Sequence, residues 1–249
     1  MNLIENSAKI DLYENGFCIL KNIIDRKKIN FLEKDISQLF KSYALENEAI
    51  NETCIRLDKV DKPLLYKLYN AIMTFSSFLN ISTDCMELSK DILPEGIITS
   101  AGNAVMFGLP NQPRLQYDWH QEQSYMLYPD TIHFQFPIFR PASLENGTMS
   151  VLKGSNKLGA LKYDSFQKSK DSLVNLTVRD IKNYENDLEE VPLIMEIGDV
   201  ALFTNYTIHR SNHNLSKYVR FSGVSRINSI TKVADDKLID KKSARKSSD

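Results

Sequence analysis

Two hydrophobic rhythms divide this chain. In the first ninety-odd residues apolar positions recur every three to four. Asp25 is placed to cap a helix, and behind it Ile29, Leu32, Ile36, Leu39 and Tyr43 form one stripe with Lys, Glu and Asp on the other face. A second helix is predicted after Asp61, with Pro63 in its first turn and a stripe of Leu64, Leu65, Leu68, Ile72, Phe75 and Leu79. That stripe reads as a face packed on a sheet. A short third helix is expected around Asp84–Lys90, ended by Pro94. Upstream, Asn15-Gly16 reads as a turn into a short strand, FCIL.

From Ile97 the rhythm changes to short strand-like runs broken by turns. They are ITSAGNAVMFG, RLQYDWH, TIHFQFPIF and GTMSVL, closed by Gly-Ser-Asn at 154–156. Residues 157–190 are polar and read as a partly helical insertion. Strands resume at PLIMEI, a Gly198-Asp199 turn, VALFTNY, IHRSNHN and YVRFSGVSRI. Helices first and many strands after argue against alternating βαβ units. Short turns make antiparallel sheets, and two packed sheets of about eight strands make a jelly roll. The expected fold is therefore mainly β with flanking α. It is read as a single domain over 1–231, helical over about 1–95 and a β core over about 96–231. Residues 232–249, charged and small, are expected to be a disordered tail.

Length and composition narrow the class. A chain of 249 residues can bury a sizeable core without staples. A net charge of −1 offers no field for nucleic acid or a membrane surface. No run approaches the ~18–20 apolar residues of a membrane span. Cys18, Cys54 and Cys85 are scattered and odd in number, which suits a reducing compartment. With no secretory pattern at the start, the expectation is a cytoplasmic protein. Asn146-Gly147-Thr148 has glycosylation spacing but reads as a hairpin turn.

The candidate chemistry lies in two stretches. In LQYDWHQEQ, on an expected strand, His120 and Glu122 share a face and Gln121 points away. With a third ligand from another strand they would form a 2-His-1-carboxylate site, the signature of non-haem Fe(II) oxygenases. Alone, H-x-E is also what a surface strand carries. The second stretch, FTNYTIHRSNHNLSKYVRFSGVS, brings His209 and, eleven residues on, Arg220. Arg220, Ser222, Val224 and Arg226 alternate with Val219, Phe221 and Gly223. If the first set faces inward, its arginines need anions, because an unpaired buried charge is very costly. The other reading leaves that face exposed. His133 reads as a satisfied or exposed strand histidine, and His213 as an alternative ligand.

At this point the chain resembles the phytanoyl-CoA dioxygenase family of Fe(II)/2-oxoglutarate oxygenases, over about residues 11–228. ENGFCILKNIID looks like the family's opening segment, and WHQE resembles its W-H-Q-D metal strand. ENGTMSVLKGSNKLG resembles its N-G…G-S-H-K hairpin. GDVALFTNYTIHRSNHNLSKYVR is similar to its closing motif, G-D-x-x-x-F…H-x-S-x-x-N-x-S…R. The resemblance implies a double-stranded β-helix (a cupin-like jelly roll) with N-terminal helices. It implies His120, Glu122 and His209 as iron ligands, and Arg220 and Ser211 on the distal carboxylate of 2-oxoglutarate. Tyr117 and Phe136 would line the co-substrate slot. The cofactors implied are Fe(II), 2-oxoglutarate and O2, consumed in hydroxylating an unactivated C–H bond of a small-molecule metabolite. Glu122 departs from the family's usual Asp, but is still an oxygen ligand, which argues against a halogenase.

Two other classes remain open, a cupin-like metalloenzyme without 2-oxoglutarate and a non-catalytic binding protein on the same fold. Arg220 discriminates against the first, and retention of the whole site against the second. Arg226 and Trp119 are candidate substrate contacts. Six residues beyond Arg220, or roughly 20 Å of strand, Arg226 is expected on the far side of the pocket. There it would meet a substrate anion or form a rim salt bridge with an acid such as Asp118.

Overall fold

The computed structural model describes residues 4–93, 95–113, 116–126, 130–167 and 174–230. Pro94 and the expected tail at 232–249 lie outside the described residues. The chain opens with α1 (Asn6–Asn15), β1 (Phe17–Leu20), α2 (Arg26–Lys41) and α3 (Ile50–Val60). It continues with α4 (Lys62–Ile72), α5 (Ser76–Ser89), β2 (Ile97–Gly108) and β3 (Thr131–Ile138). Next come β4 (Met149–Leu152), β5 (Tyr163–Gln167), β6 (Val174–Val178) and α6 (Lys182–Glu185). Last are β7 (Glu190–Pro192), β8 (Val200–Thr204), β9 (His209–Ser211) and β10 (Arg220–Ile230).

The helical stripes are real, with shifted edges. Asp25 caps α2, its carboxylate accepting from the Lys27 amide at 2.8 Å. The buried stripe is Ile29, Leu32, Ile36 and Phe40, whereas Tyr43 lies past the end and is 41% exposed. The predicted second helix is two helices. α4 ends at Ile72, Phe75 is extended, and α5 then carries Phe78, Ile81, Cys85 and Leu88 inward. Leu79 is consequently 46% exposed, and the expected third helix is the end of α5. The Asn15-Gly16 turn is the C-cap of α1, where Gly16 at φ +82° returns its amide to the Leu12 carbonyl. Neither α1 nor α3 is among the expected helices; Leu12 alone is buried along α1, whereas α3 buries Cys54 and Leu57 at helical spacing.

One sheet runs β1-β8-β3-β10-β2 and a smaller one β7-β4-β9, antiparallel throughout. Strand alternation assigns the faces. Ile132, Phe134, Phe136, Ile138, Leu202 and Phe221 pack with the helices in one core. Ala201 and Phe203 point the other way, onto Met149, Val151, Leu193 and Met195 beneath the small sheet. The space between the two sheets is where the polar residues of β3 and β10 converge. This is the expected jelly roll with N-terminal helices.

Two expected strands fail. RLQYDWH is irregular over 116–119, with Arg114 and Leu115 outside the described residues. PLIMEI is only the end of β7 plus two isolated bridges, Met195 to Ala142 and Ile197 to Asp199. The reverse error lies in the 157–190 insertion, which contains the β5–β6 hairpin as well as α6. Every residue of β5 is exposed, so it lacks the apolar alternation that would reveal it.

Candidate metal centre and its cavity

His120 and His209 are locked side by side by a reciprocal pair of backbone bonds. The His120 amide donates to the His209 carbonyl at 2.9 Å, and the His209 amide returns the bond at 3.0 Å. β9 is itself held by β4 through the Val151–His209 register pair. Ahead of it, the Ser155 hydroxyl accepts from the Ile208 amide at 2.8 Å. Gly154, at φ +77°, turns the chain into that position, which is the work of the GSN segment.

Glu122 reaches the same place by a different route from the one expected. It does not continue a strand but begins a short 3-10 turn, Glu122–Ser124. Gln121 decides its direction. The Gln121 amide nitrogen donates to the carbonyls of Gly159 and Tyr206 at 2.9 and 2.7 Å, and its oxygen accepts from the Leu161 amide at 2.9 Å. Fastened outward, it leaves Glu122 pointing in. Glu122 Oε1 lies 3.9 Å from His120 Nε2 and 3.6 Å from His209 Nε2.

The protonation pattern suits a cation. His120 Nδ1 faces the Asp118 carbonyl at 2.7 Å and His209 Nδ1 the Thr207 carbonyl at 2.9 Å. A carbonyl only accepts, so each Nδ1 carries the proton and each Nε2 presents a lone pair inward. Burial opposes ionisation of Glu122, but the Arg226 guanidinium beside it favours the carboxylate, and the carboxyl is held well below its usual range. Burial and the neighbouring His120 push His209 down, toward the neutral form a metal needs. The three donor atoms lie within 4.8 Å of one another, and all three residues are buried. Two neutral imidazoles and a carboxylate fit a first-row divalent ion with positions left open. His213 is not in the cluster, since its Nδ1 bonds Gln116 Nε2 at 3.0 Å.

A cavity of about 260 Å³ opens on this cluster. Arg220, Val224 and Arg226 all line it, so the inward reading of that face holds. Arg220 is buried, and Nη1 donates to Ser222 Oγ at 3.1 Å while Nε has no partner. Among the described residues no carboxylate pairs with it, and burial alone pushes its pKa down to about 10. Ser211 and Tyr117 line the same cavity, with the Tyr117 ring 5.5 Å from that of His120.

Three expected placements need correction. Phe136 is on the helix side of β3, its ring 5.9 Å from Phe78 and pressed against Gly223, so it cannot line the slot. Its neighbour Gln135 has the inward parity and does line the cavity, a residue that the same alternation could have found. Trp119 points opposite to His120. Its indole N–H bonds Glu185, and Arg210 stacks on its face at 4.5 Å, so it anchors the insertion rather than meeting substrate. Arg226 is not at a distant rim with Asp118, because its Nη2 lies 3.4 Å from Glu122 Oε1. Tyr125, also unread, sets its ring edge-on to His120 at 5.6 Å. His133 is buried, donating from Nε2 to Asn205 Oδ1 at 2.7 Å and stacked on Phe203, but its Nδ1 has no partner among the described residues, so it is only half satisfied.

Comparison with known proteins agrees with this geometry. The family model for phytanoyl-CoA dioxygenase matches residues 12–222. The peroxisomal phytanoyl-CoA dioxygenase of Homo sapiens is 24% identical over 218 residues, covering 83% of this chain and 63% of that protein. The Mus musculus enzyme is 25% identical over 221 residues, with the same coverages of 83% and 63%. The chain thus spans a little under two thirds of the length of these relatives. Among solved structures, EctD from S. alaskensis with 2-oxoglutarate and 5-hydroxyectoine superposes with a TM-score of 0.61 at 13% identity, over 93% of this chain and 78% of that one. The epimerase SnoN, in complex with Fe3+, alpha ketoglutarate and nogalamycin RO, gives 0.63 at 11% identity over 93% and 88%. At such identities the likeness speaks for the fold. No helix among the described residues is long and apolar enough to cross a membrane.

Proposed function

Because the chain belongs to the phytanoyl-CoA dioxygenase family, we propose that it is an Fe(II)- and 2-oxoglutarate-dependent oxygenase that hydroxylates an unactivated C–H bond of a small metabolite. The observation that carries this reading is one cavity holding both three convergent candidate metal donors and a buried guanidinium with no acid partner among the described residues. His120, Glu122 and His209 would hold the iron. Arg220 would take the distal carboxylate of 2-oxoglutarate through its planar fork of donors, with Ser211 lining the same cavity. Iron, when bound, supplies O2 activation, by which R–H, O2 and 2-oxoglutarate become R–OH, CO2 and succinate.

The chain's own residues bind, orient and exclude water. At neutral pH Arg220 stays charged, and it remains costly until an anion arrives. A jelly-roll metalloenzyme without 2-oxoglutarate has no need of such a residue. Tyr117 flanks His120 and walls the cavity beside the metal donors. The three cysteines are buried free thiols, in keeping with a reducing, cytoplasmic setting. The test is anaerobic titration with Fe(II) and then 2-oxoglutarate, followed by a metabolite screen for substrate-stimulated succinate formation. Wild-type protein that takes up neither Fe(II) nor 2-oxoglutarate sinks the reading.

A further inference from the structure

Resting on that reading, we infer that Arg226 recognises a carboxylate on the substrate. The substrate class is then a small carboxylic acid whose attacked carbon lies within a few bonds of that carboxylate. The charges lining the cavity carry the argument. Among its described residues the ionised groups are Glu122, Arg220 and Arg226. Tyr117 and Tyr125 are held neutral by burial, which raises both phenols. The two metal-facing histidines are counted as neutral, the form in which Nε2 can hold a metal. One acid against two guanidiniums leaves a single positive charge. A divalent metal and a 2-oxoglutarate dianion cancel each other, so the excess survives co-substrate binding. A substrate with one carboxylate removes it, and an uncompensated charge in such a site is expensive.

The excess charge resides on Arg226. Its side chain is 16% exposed, and Glu122 is its one hydrogen-bond partner among the described residues. That contact is single and long, at 3.4 Å. Among the described residues the tightest arginine ion pairs use two short bonds each, although the exposed Arg26–Glu33 pair is a single contact at 3.8 Å. Arg56 holds Glu48 at 2.7 and 2.8 Å, and Arg210 holds Glu190 at 2.8 and 2.9 Å. Charge-assisted pairs normally close to about 2.7–2.9 Å. Arg226 is therefore not a saturated partner of Glu122, and a metal would take up the same carboxylate. Because the guanidinium touches a metal donor, any anion it holds lies next to the metal centre. The cavity of about 260 Å³ must also hold 2-oxoglutarate, which limits the substrate to a small one.

The experiment loads wild type, Arg226→Gln and Arg226→Lys anaerobically with Fe(II) and 2-oxoglutarate, and verifies saturation of both. Each is then titrated calorimetrically with amino acids, 2-hydroxy acids and short aliphatic acids, every acid against its primary amide. The expected result is at least one acid bound tenfold or more tighter than its amide by wild type. Arg226→Gln loses that preference and Arg226→Lys keeps part of it. Equal binding of acids and amides, an undiminished preference in Arg226→Gln, or no acid bound by the loaded protein overturns the assignment. Failure of wild type to load is read in the first step and removes the underlying reading as well.

Discussion

Replacing Arg220 by methionine should make the ligand-free protein more stable and the ligand-bound protein less so. Burial pushes the guanidinium down to about 10. Against an ordinary value of about 12.5, that corresponds to roughly 3 kcal/mol of cost for the charged form. The sign follows from linkage. A cation whose folded pKa is depressed destabilises the fold in full below that pKa, and the cost fades as pH rises from there toward the unfolded value, so it is fully present at pH 7. Methionine fills similar length without charge. It gives up the bond to Ser222, about 1–2 kcal/mol in such a setting. The net gain is about 1–2 kcal/mol, or a rise in Tm of roughly 2–8 °C for a chain of this size.

The assay is thermal unfolding in a buffer free of carboxylates and phosphate, with and without divalent metal and 2-oxoglutarate. At a hundredfold excess over Kd, 2-oxoglutarate should add about 2.7 kcal/mol to wild type and nothing to the variant. The order of stability therefore inverts on adding ligand. An Arg220→Met protein that melts below wild type without ligand, yet is still protected by 2-oxoglutarate, would refute the reasoning.

His120→Ala and His209→Ala should retain circular dichroism spectra of folded protein but lose stoichiometric iron by elemental analysis, while Glu122→Asp should keep measurable iron and turnover. Gly223→Ala should destabilise by about 1–3 kcal/mol, because its Cβ would lie 2.2 Å from the Phe136 ring; an unchanged melting temperature contradicts that packing. Burial pushes His133 down to about 4, so the unfolded chain takes up its proton first as pH falls, and roughly 3 kcal/mol of stability is lost between about pH 6.5 and 4. His133→Gln should flatten that part of the stability profile, measured by urea unfolding at several pH values.

Much of this architecture is legible in the sequence because burial writes it there. The α2 stripe and the alternation in β3 and β10 record which side of each element meets the core. What escapes is structure that burial does not mark. α1 contributes one buried residue, and β5 none. The break between α4 and α5 is hidden because Phe75 is apolar and in phase, although its backbone is extended. The family resemblance puts Phe136 at the co-substrate slot, and the alternation along β3 puts it on the other face. Parity, applied to Phe136 as it was to Arg220, would have set it behind the sheet.

The His120–Glu122–His209 cluster brings the expected residues together through a different local structure. His120 and Glu122 were placed together as strand neighbours, but no strand joins them. Their convergence depends on Gln121, whose side chain replaces ladder bonds with three bonds to the 159–161 segment and Tyr206. Once the backbone turns into a 3-10 segment, the donor must reach back across the cavity, and glutamate has one more carbon–carbon bond than aspartate, about 1.5 Å. The same reach brings Oε1 to within 3.4 Å of Arg226. A shorter acid at this position would lie farther from both imidazoles and from the guanidinium, so Glu122→Asp is expected to weaken these contacts while keeping an oxygen donor in the cluster. Glu122 Oε1 thus faces the two candidate metal-binding imidazoles and the second arginine at once.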